Sequence, residues 1–343
     1  MTGRDLSPAD ARDRFLRRRK SENTENTLRS YRNRLTRFVE WCDESGVESM
    51  RELDGWALDE YRAHREEQDV APTTLKGQMV ALKQLLDFCV SIDVVDDDLP
   101  RKVQIPELSK EEETSDEMLE EDNARELLAF YRESRRYRGR PKHALLEVLW
   151  HVGSRISCLR ALDLRDWHPD EQKLEFRHRP PTRLKDGEDH ERNVVVSEDV
   201  VDAVEHYIAR ERPDVRDENG RKPLFSTRQG RASEGTIRCW AYQATHPCMH
   251  SACPHGRRRS TCEWTHRSQA SKCPSARSPH AIRTGSITWQ LNQGLSYVRV
   301  AARVAASPET IRRYYDKPDH EASLSRRRPL TQHLDIETDD EDH

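Results

Sequence analysis

Along the first hundred residues the apolar positions recur three and four apart, the spacing of a single helix face. Leu28, Tyr31, Leu35, Phe38 and Cys42 form one such stripe and predict a helix over about 24–45, which Gly46 ends. A helix opens before it at "SPAD" and runs to about Lys20. Asp54 is placed to cap a third, with Ala57 and Tyr61 turned inward. "APTTLKGQMVALKQLLDFCV" carries a fourth stripe, Leu75, Met79, Leu82, Leu86 and Cys89. Four amphipathic helices of this length make one small bundle. The pattern then stops: residues 93–118 hold two prolines, many acids and no apolar period, which predicts a linker. It is long enough for two lobes to lie on opposite sides of an object about 20 Å wide.

Helical spacing returns at about 117–134 and 141–152, and "GSRISCLRALDLRDW" breaks and restarts a helix around Gly153. "KLEFRHR" (173–179) and "RNVVVS" (192–197) are β-prone and flank the polar stretch "LKDGEDHE", a hairpin with a long tip. Helices are expected at 198–211 and 233–245. A Cys/His-rich segment fills 246–279, and three short helices close the chain at 279–293, 296–306 and 307–316. In the last, "SPETIRRYYDK", Ser307 is the N-cap and Pro308 the first helical residue. The expected fold is mainly α with a small β-hairpin or sheet. Its parts are a helical unit at 1–95, a linker at 96–118, a mixed α+β unit at 119–330 with the insert 246–279, and an acidic tail at 331–343.

Charge adds a partner class to this picture. The net charge is only −4, yet residues 12–37 hold ten Lys/Arg against three acids and 248–283 hold seven against one. Residues 109–122 hold eight acids and one base, and 331–343 hold six acids and no base. Segregated basic stretches suit a polyanion such as double-stranded DNA, although solvated helix faces would give the same counts. No run of about 18 apolar residues is present, which excludes a membrane-spanning helix. The first residues have no apolar signal core, and the expectation is a cytoplasmic protein. Cys42, Cys89, Cys158 and Cys239 lie among apolar neighbours and read as buried thiols.

Several polar clusters have the parts that metal-free cleavage of a phosphodiester requires: a nucleophile, planar cations for the phosphate oxygens, and a proton donor for the leaving oxygen. "HVGSRISCLRALDL" resembles the first arginine box of the tyrosine recombinase (phage integrase) family, T-G-x-R-x-S-E-L. "LKDGEDHERNVVV" resembles its lysine hairpin, "PHAIRTGSITW" its H-x-x-R box, and "VAASPETIRRYYD" its terminal tyrosine box. The boxes come in the family's order over about 10–316, and their wording is closest to archaeal, Xer-like members. The resemblance implies a helical core-binding (SAM-like) domain followed by the catalytic domain. It also implies catalytic residues Arg155, Lys185, His280, Arg283 and Tyr315. Site-specific DNA breakage and rejoining would proceed through a 3′-phosphotyrosyl intermediate, without a catalytic cofactor, in a homo-tetramer on DNA.

Two positions depart from the family. Cys158 replaces the acid that often follows the first arginine. Ala306 stands where a histidine or tryptophan is usual, a lost donor worth on the order of 3 kcal/mol of transition-state stabilisation. Arg303 and Arg312 are candidate substitutes. The alternatives are a catalytically impaired relative that binds DNA without cutting it, and a zinc-dependent nucleic-acid regulator. The second alternative rests on "CMHSACPHGRRRSTCEWTHRSQASKC". Its spacing, C-x4-C-x8-C-x10-C, offers Cys248, Cys253, Cys262 and Cys273 to a structural zinc, with His255 as a substitute. The same loop offers Arg257, Arg258 and Arg259 to DNA, as does Arg312 on the last helix.

Overall fold

The computed structural model describes residues 5–109 and 117–316 together with the single positions 112, 324, 326, 328 and 331. The chain divides into two compact units, residues 1–115 and 116–343.

The first unit is built from α1 (Pro8–Arg19), α2 (Glu25–Ser45), α3 (Gly55–Glu67) and α4 (Pro72–Val90). The side chains of Ser7, Thr24 and Asp54 accept from the backbone N–H of Asp10, Thr27 and Ala57, satisfying donors that a first helical turn leaves open. Phe15, Leu35, Phe38, Tyr61, Met79, Leu82 and Leu86 share one core, with Phe38 and Tyr61 edge to face at 5.2 Å. On α3 Leu58 is buried beside Tyr61, and Ala57, partly buried, packs against the same core. The segment expected as linker begins on this core as well: Val94, Leu99 and Val103 are buried in it, through the 3₁₀ turn Leu99–Lys102. A single 3₁₀ turn leaves no helical period in the sequence.

The second unit is organised around α6 (Pro141–Val152), which follows α5 (Glu121–Glu133). Nine of its residues are buried, from His143 to Val152, so it is enclosed on every side. Its one buried acid, Glu147, is paired: Arg132 reaches both carboxylate oxygens at 2.7 and 2.9 Å and His143 lies at 3.2 Å. After α7 (Ile156–Ala161), β1 (Trp167–His168), β2 (Lys173–Phe176) and β3 (Arg192–Val195) form an antiparallel sheet in sequence order, with Leu174 opposite Val194 and Phe176 opposite Arg192. The expected hairpin is therefore the larger part of a three-stranded sheet; two-residue β1 is too short to carry an alternating pattern. α8 (Glu198–Arg210), the small hairpin β4 (Ser226–Thr227) with β5 (Gly230–Arg231), and α9 (Glu234–Ala244) follow. The unit closes with α10 (Pro279–Asn292), α11 (Tyr297–Val304) and α12 (Pro308–Tyr314).

Gly285 lets residues 117–120 lie against α10: a Cβ there would stand 1.9 Å from the Leu119 carbonyl oxygen. Leu119 N–H donates to Ala281 O at 3.1 Å in the same contact. Among the described residues no helix is long and apolar enough to cross a membrane. Of the acidic tail expected at 331–343, all but Thr331 lies outside the described residues.

Candidate active site

The C-terminus of α11 gathers the cations. An α-helix leaves its last carbonyls without intrahelical partners, and the helix dipole makes that end attractive to positive charge. Here three successive carbonyls each accept from an arginine. Arg303 O takes Arg192 Nε at 2.7 Å, Val304 O takes Arg283 Nη1 at 2.9 Å and Ala305 O takes Arg155 Nη1 at 2.6 Å. Ala305 turns the chain with φ 52°, a left-handed conformation that is strained for a residue with a Cβ and that lets three carbonyls fan toward three donors.

The box after α6 meets the same guanidinium groups. Gly153, at φ 68°, ends α6, and its carbonyl accepts from Arg283 Nη1 at 2.6 Å. Any side chain at 153 would strain this turn and press on Ser286 and Val304. Ser154 Oγ accepts from Arg192 at 2.8 Å, and Arg155 itself is the N-cap residue of α7. Each position of "GSR" thus holds or supplies one of the three arginines.

Arg283 is 1% exposed, and its Nη2 has no hydrogen-bond partner although it is buried. Its Nε donates to the Tyr315 hydroxyl at 3.4 Å. A buried guanidinium with an unfilled donor costs free energy unless an anion completes it. Burial lowers the Arg283 pKa, Tyr315 opposes that shift and Arg155 adds to it. The His280 ring lies 5.7 Å from the Tyr315 ring. Burial, then Arg283 and Arg155, push the His280 pKa below the ordinary histidine value. The Tyr315 main chain is fixed from α10, where Thr288 Oγ1 donates to its carbonyl at 2.9 Å. Tyr314 turns elsewhere, with its ring 5.1 Å from Arg313 Cζ.

Lys185 is exposed on the long connection between β2 and β3. The connection is anchored at both ends. Arg179 binds both oxygens of buried Asp166 at 2.8 and 2.7 Å, and Arg192 stacks 4.1 Å over Phe176. Leu184, next to the lysine, is buried. His190 lies on the same connection. Burial and then the charges of Arg155, Arg192 and Lys185 lower its pKa, with Asp186 opposing them. Sequence reasoning missed Arg192 and His190: both lie within the hairpin stretch "LKDGEDHERNVVV", but only Lys185 was singled out there.

Several expected roles change. Arg303 cannot replace the donor missing at Ala306. Its nitrogens are engaged by Gln290 at 3.0 Å, the Val195 carbonyl at 3.1 Å and the His151 carbonyl at 3.1 Å. Arg312 is exposed and lies 5.3 Å over the Tyr297 ring, outside the cluster. Arg257 stacks on Trp264 at 3.8 Å and Arg259 donates to Cys248 O at 3.2 Å, so both engage the cysteine loop, while Arg258 has no such contact; all three are exposed. Cys42, Cys89 and Cys158 are buried, but Cys239 is only partly so.

Cys248, Cys253, Cys262 and Cys273 line one cavity of about 10 Å³, with His246, Arg257, Arg259 and Trp264. His255, the expected substitute ligand, instead bonds Ser275 Oγ at 3.0 Å; His246 is the histidine on the wall, and its Nε2 faces Ala270 O at 3.2 Å. Among the described residues no three His, Cys, Asp or Glu groups stand close enough to ligate one ion.

Comparison with known proteins agrees with this architecture. Residues 13–91 match the phage integrase N-terminal SAM-like domain. The crystallised N-terminal domain of a phage integrase/site-specific recombinase from Haloarcula marismortui is 48% identical, over 30% of this chain and 99% of that one, with a TM-score of 0.30. The Tn1549 transposon integrase, solved with a circular intermediate DNA, is 14% identical over 95% of this chain and 100% of that one, with a TM-score of 0.66. A lambda integrase dimer bound to a COC′ core site is 11% identical over 98% of this chain and 81% of that one, with a TM-score of 0.58. No curated protein matches. The match to the N-terminal family domain and the 48% identity across nearly the whole Haloarcula domain mean that the chain belongs to the tyrosine recombinase (phage integrase) family, and the likeness to the Tn1549 and lambda integrases shows a shared fold.

Proposed function

We propose that the protein is a site-specific DNA recombinase that cuts and rejoins DNA through Tyr315. One observation carries the proposal: the Tyr315 hydroxyl rests 3.4 Å from Arg283 Nε, beside a buried Nη2 of the same guanidinium that has no partner. That donor suits a nonbridging phosphate oxygen. A backbone-fixed guanidinium stabilises the charge that develops there without reorganising during the reaction.

In the reaction, Tyr315 Oη attacks the scissile phosphorus and its proton passes to His280, which is neutral near pH 7 because its pKa is lowered. Arg155 and Arg283 hold the nonbridging oxygens. Lys185, carried by the anchored hairpin, gives a proton to the leaving 5′ oxygen. The product is a 3′-phosphotyrosyl ester and a free 5′ hydroxyl. Attack by the 5′ hydroxyl of another strand on that ester reverses the step and joins the two, so no nucleotide triphosphate is consumed.

Support for a DNA substrate also comes from the first unit, where a groove along α1 and α2 is lined by Arg12, Arg17, Lys20, Arg29 and Arg32 against Asp10, Asp13 and Glu25, an excess of positive charge although Asp13 pairs with Arg12. Cations in that number bind phosphates, with an affinity that falls steeply with salt. The Tn1549 and lambda integrases were solved on DNA, lambda integrase also as a tetramer on a Holliday junction. The same substrate and a homo-tetramer are proposed for this chain. The test is incubation with nicked duplex DNA from the flanks of its own gene, followed by denaturation in detergent. A covalent adduct that maps to Tyr315 is expected. DNA binding without any adduct would leave a binding protein and remove the enzyme reading.

A further inference from the structure

The catalytic scheme leaves the cysteine loop unused, yet the loop is the most unusual part of the second unit. Between α9 and α10 the chain runs for more than thirty residues with only short 3₁₀ turns. Its buried apolar residues beyond Pro247 are Ala270, Cys273 and Ala276. Three small side chains bury little area, and a segment this poor in core requires a cross-link to hold one conformation. The four cysteines that line the small cavity come from four separate places in the loop. A volume of about 10 Å³ is that of one water or ion. Two guanidinium groups share its wall, Arg257 stacked on Trp264 and Arg259 bonded to the Cys248 carbonyl.

We propose that Cys248, Cys253, Cys262 and Cys273 bind one zinc ion as four thiolates and that Arg257 and Arg259 balance the charge of that centre. Four thiolates around a divalent ion leave two negative charges, and two arginines on the same wall supply two positive ones. Two disulfides in the same place would be neutral, and would leave Arg257 with only Glu263, at 3.3 Å, and Arg259 with only the Cys248 carbonyl. Zinc–sulfur bonds of about 2.3 Å require the thiol side chains to turn inward from the cavity wall, where they stand too far apart to ligate without an ion.

The centre would act on the site described above through the chain that leaves it. Cys273 is followed by Arg277, whose N–H donates to Thr245 Oγ1 at 2.8 Å and whose Nε donates to Met118 O at 3.0 Å. Ser278 then caps α10, which carries His280 and Arg283. A zinc that fixes Cys273 fixes the start of the helix from which both side chains project. This consequence rests on the recombinase reading; the metal site itself does not.

The test begins with metal analysis of the full-length protein purified under reducing conditions without chelator, followed by exchange with cobalt. One equivalent of zinc is expected, together with the absorption of tetrahedral cobalt bound to four thiolates. Alkylation followed by peptide mass analysis should find these four cysteines protected until a chelator is added, and Cys42, Cys89, Cys158 and Cys239 indifferent to it. Arg257→Ala with Arg259→Ala should release zinc to a chelator faster by on the order of tenfold. Less than about a tenth of an equivalent of zinc with no cobalt spectrum, disulfide masses at these cysteines, or a spectrum of three thiolates and one imidazole would each overturn the proposal. None of these measurements uses DNA, so a failure of the recombinase reading cannot be mistaken for a failure of the metal site. They also require no cysteine variant to fold.

Discussion

The arginine cluster and the cysteine loop are neighbours in sequence and opposites in construction. Arg155, Arg192 and Arg283 hang from the carbonyls that end α11, and α10, beneath them, is buried along most of its length. The loop has short turns, two buried alanines and four thiols around a hole, one of them, Cys273, buried. One region positions charge with its own backbone. The other has little packing of its own, and the proposed zinc would supply the constraint instead. Cations that must not move during a reaction are set by the first kind of construction, because preorganised donors need no reorganisation when charge develops.

The sharpest way to break this comparison is at the tyrosine pair. Tyr315→Phe removes the proposed nucleophile and keeps the ring. Adduct formation on nicked DNA should fall by more than about 10⁴-fold, with DNA binding retained. Tyr314→Phe should stay within about threefold, since that ring packs beside Arg313 away from the cluster. Equal losses in the two variants would place both hydroxyls in the chemistry and contradict the geometry at Arg283.

The next largest effect belongs to the buried arginine. Arg283→Lys keeps one charge but cannot serve Gly153 O, Val304 O and a phosphate together. Single-turnover cleavage should drop by about 10²–10³-fold. A lysine variant as fast as the wild type would mean that the guanidinium only braces α11.

The boxes were legible because they are polar side chains at fixed spacing: Arg155, His280, Arg283 and Tyr315 could be read in order, as could the four helical stripes of the first unit. What organises them was not legible. The carbonyls of Arg303, Val304 and Ala305 are main-chain atoms and leave no residue signature. Arg192 looked like the first residue of a strand, and Arg303 looked like a spare cation until its three contacts were seen. The linker was drawn too long because Leu99 and Val103 enter the core from a single 3₁₀ turn. In the loop the order was reversed. The cysteine spacing was visible, but the contacts of Arg257 with Trp264 and of Arg259 with the Cys248 carbonyl, and the choice of His246 over His255 as the histidine on the wall, needed coordinates.

A smaller effect, in stability rather than rate, comes from His151 behind the arginine cluster. Burial, and then Arg303, lower its pKa from 6.5 to about 4. The Arg303 side chain lies 3.4 Å from its Nδ1. A histidine with a depressed folded pKa favours the native state while it is neutral. Its contribution is therefore complete above about pH 6.5 and is lost progressively as pH falls toward 4. The loss amounts to at most about 3 kcal/mol from this group. His151→Gln should flatten the urea midpoint between pH 7 and 5 relative to wild type; an unchanged slope would assign the acid sensitivity to other groups.

The smallest expected effect tests the backbone device itself. Ala305 holds φ 52° with a Cβ, and Ala305→Gly would relax that turn. In the native state this relief is worth about 1 kcal/mol, and the larger conformational entropy of glycine in the unfolded chain offsets it by a similar amount. Stability should therefore change by less than about 1 kcal/mol. Adduct formation should change by less than about threefold if the fan of carbonyls is set by the surrounding arginines as well as by the turn, since three hydrogen bonds from three different elements hold it. A large loss of activity at unchanged stability would be more informative. It would mean that the strained alanine alone aims the carbonyls, and that the whole cluster depends on one local backbone constraint.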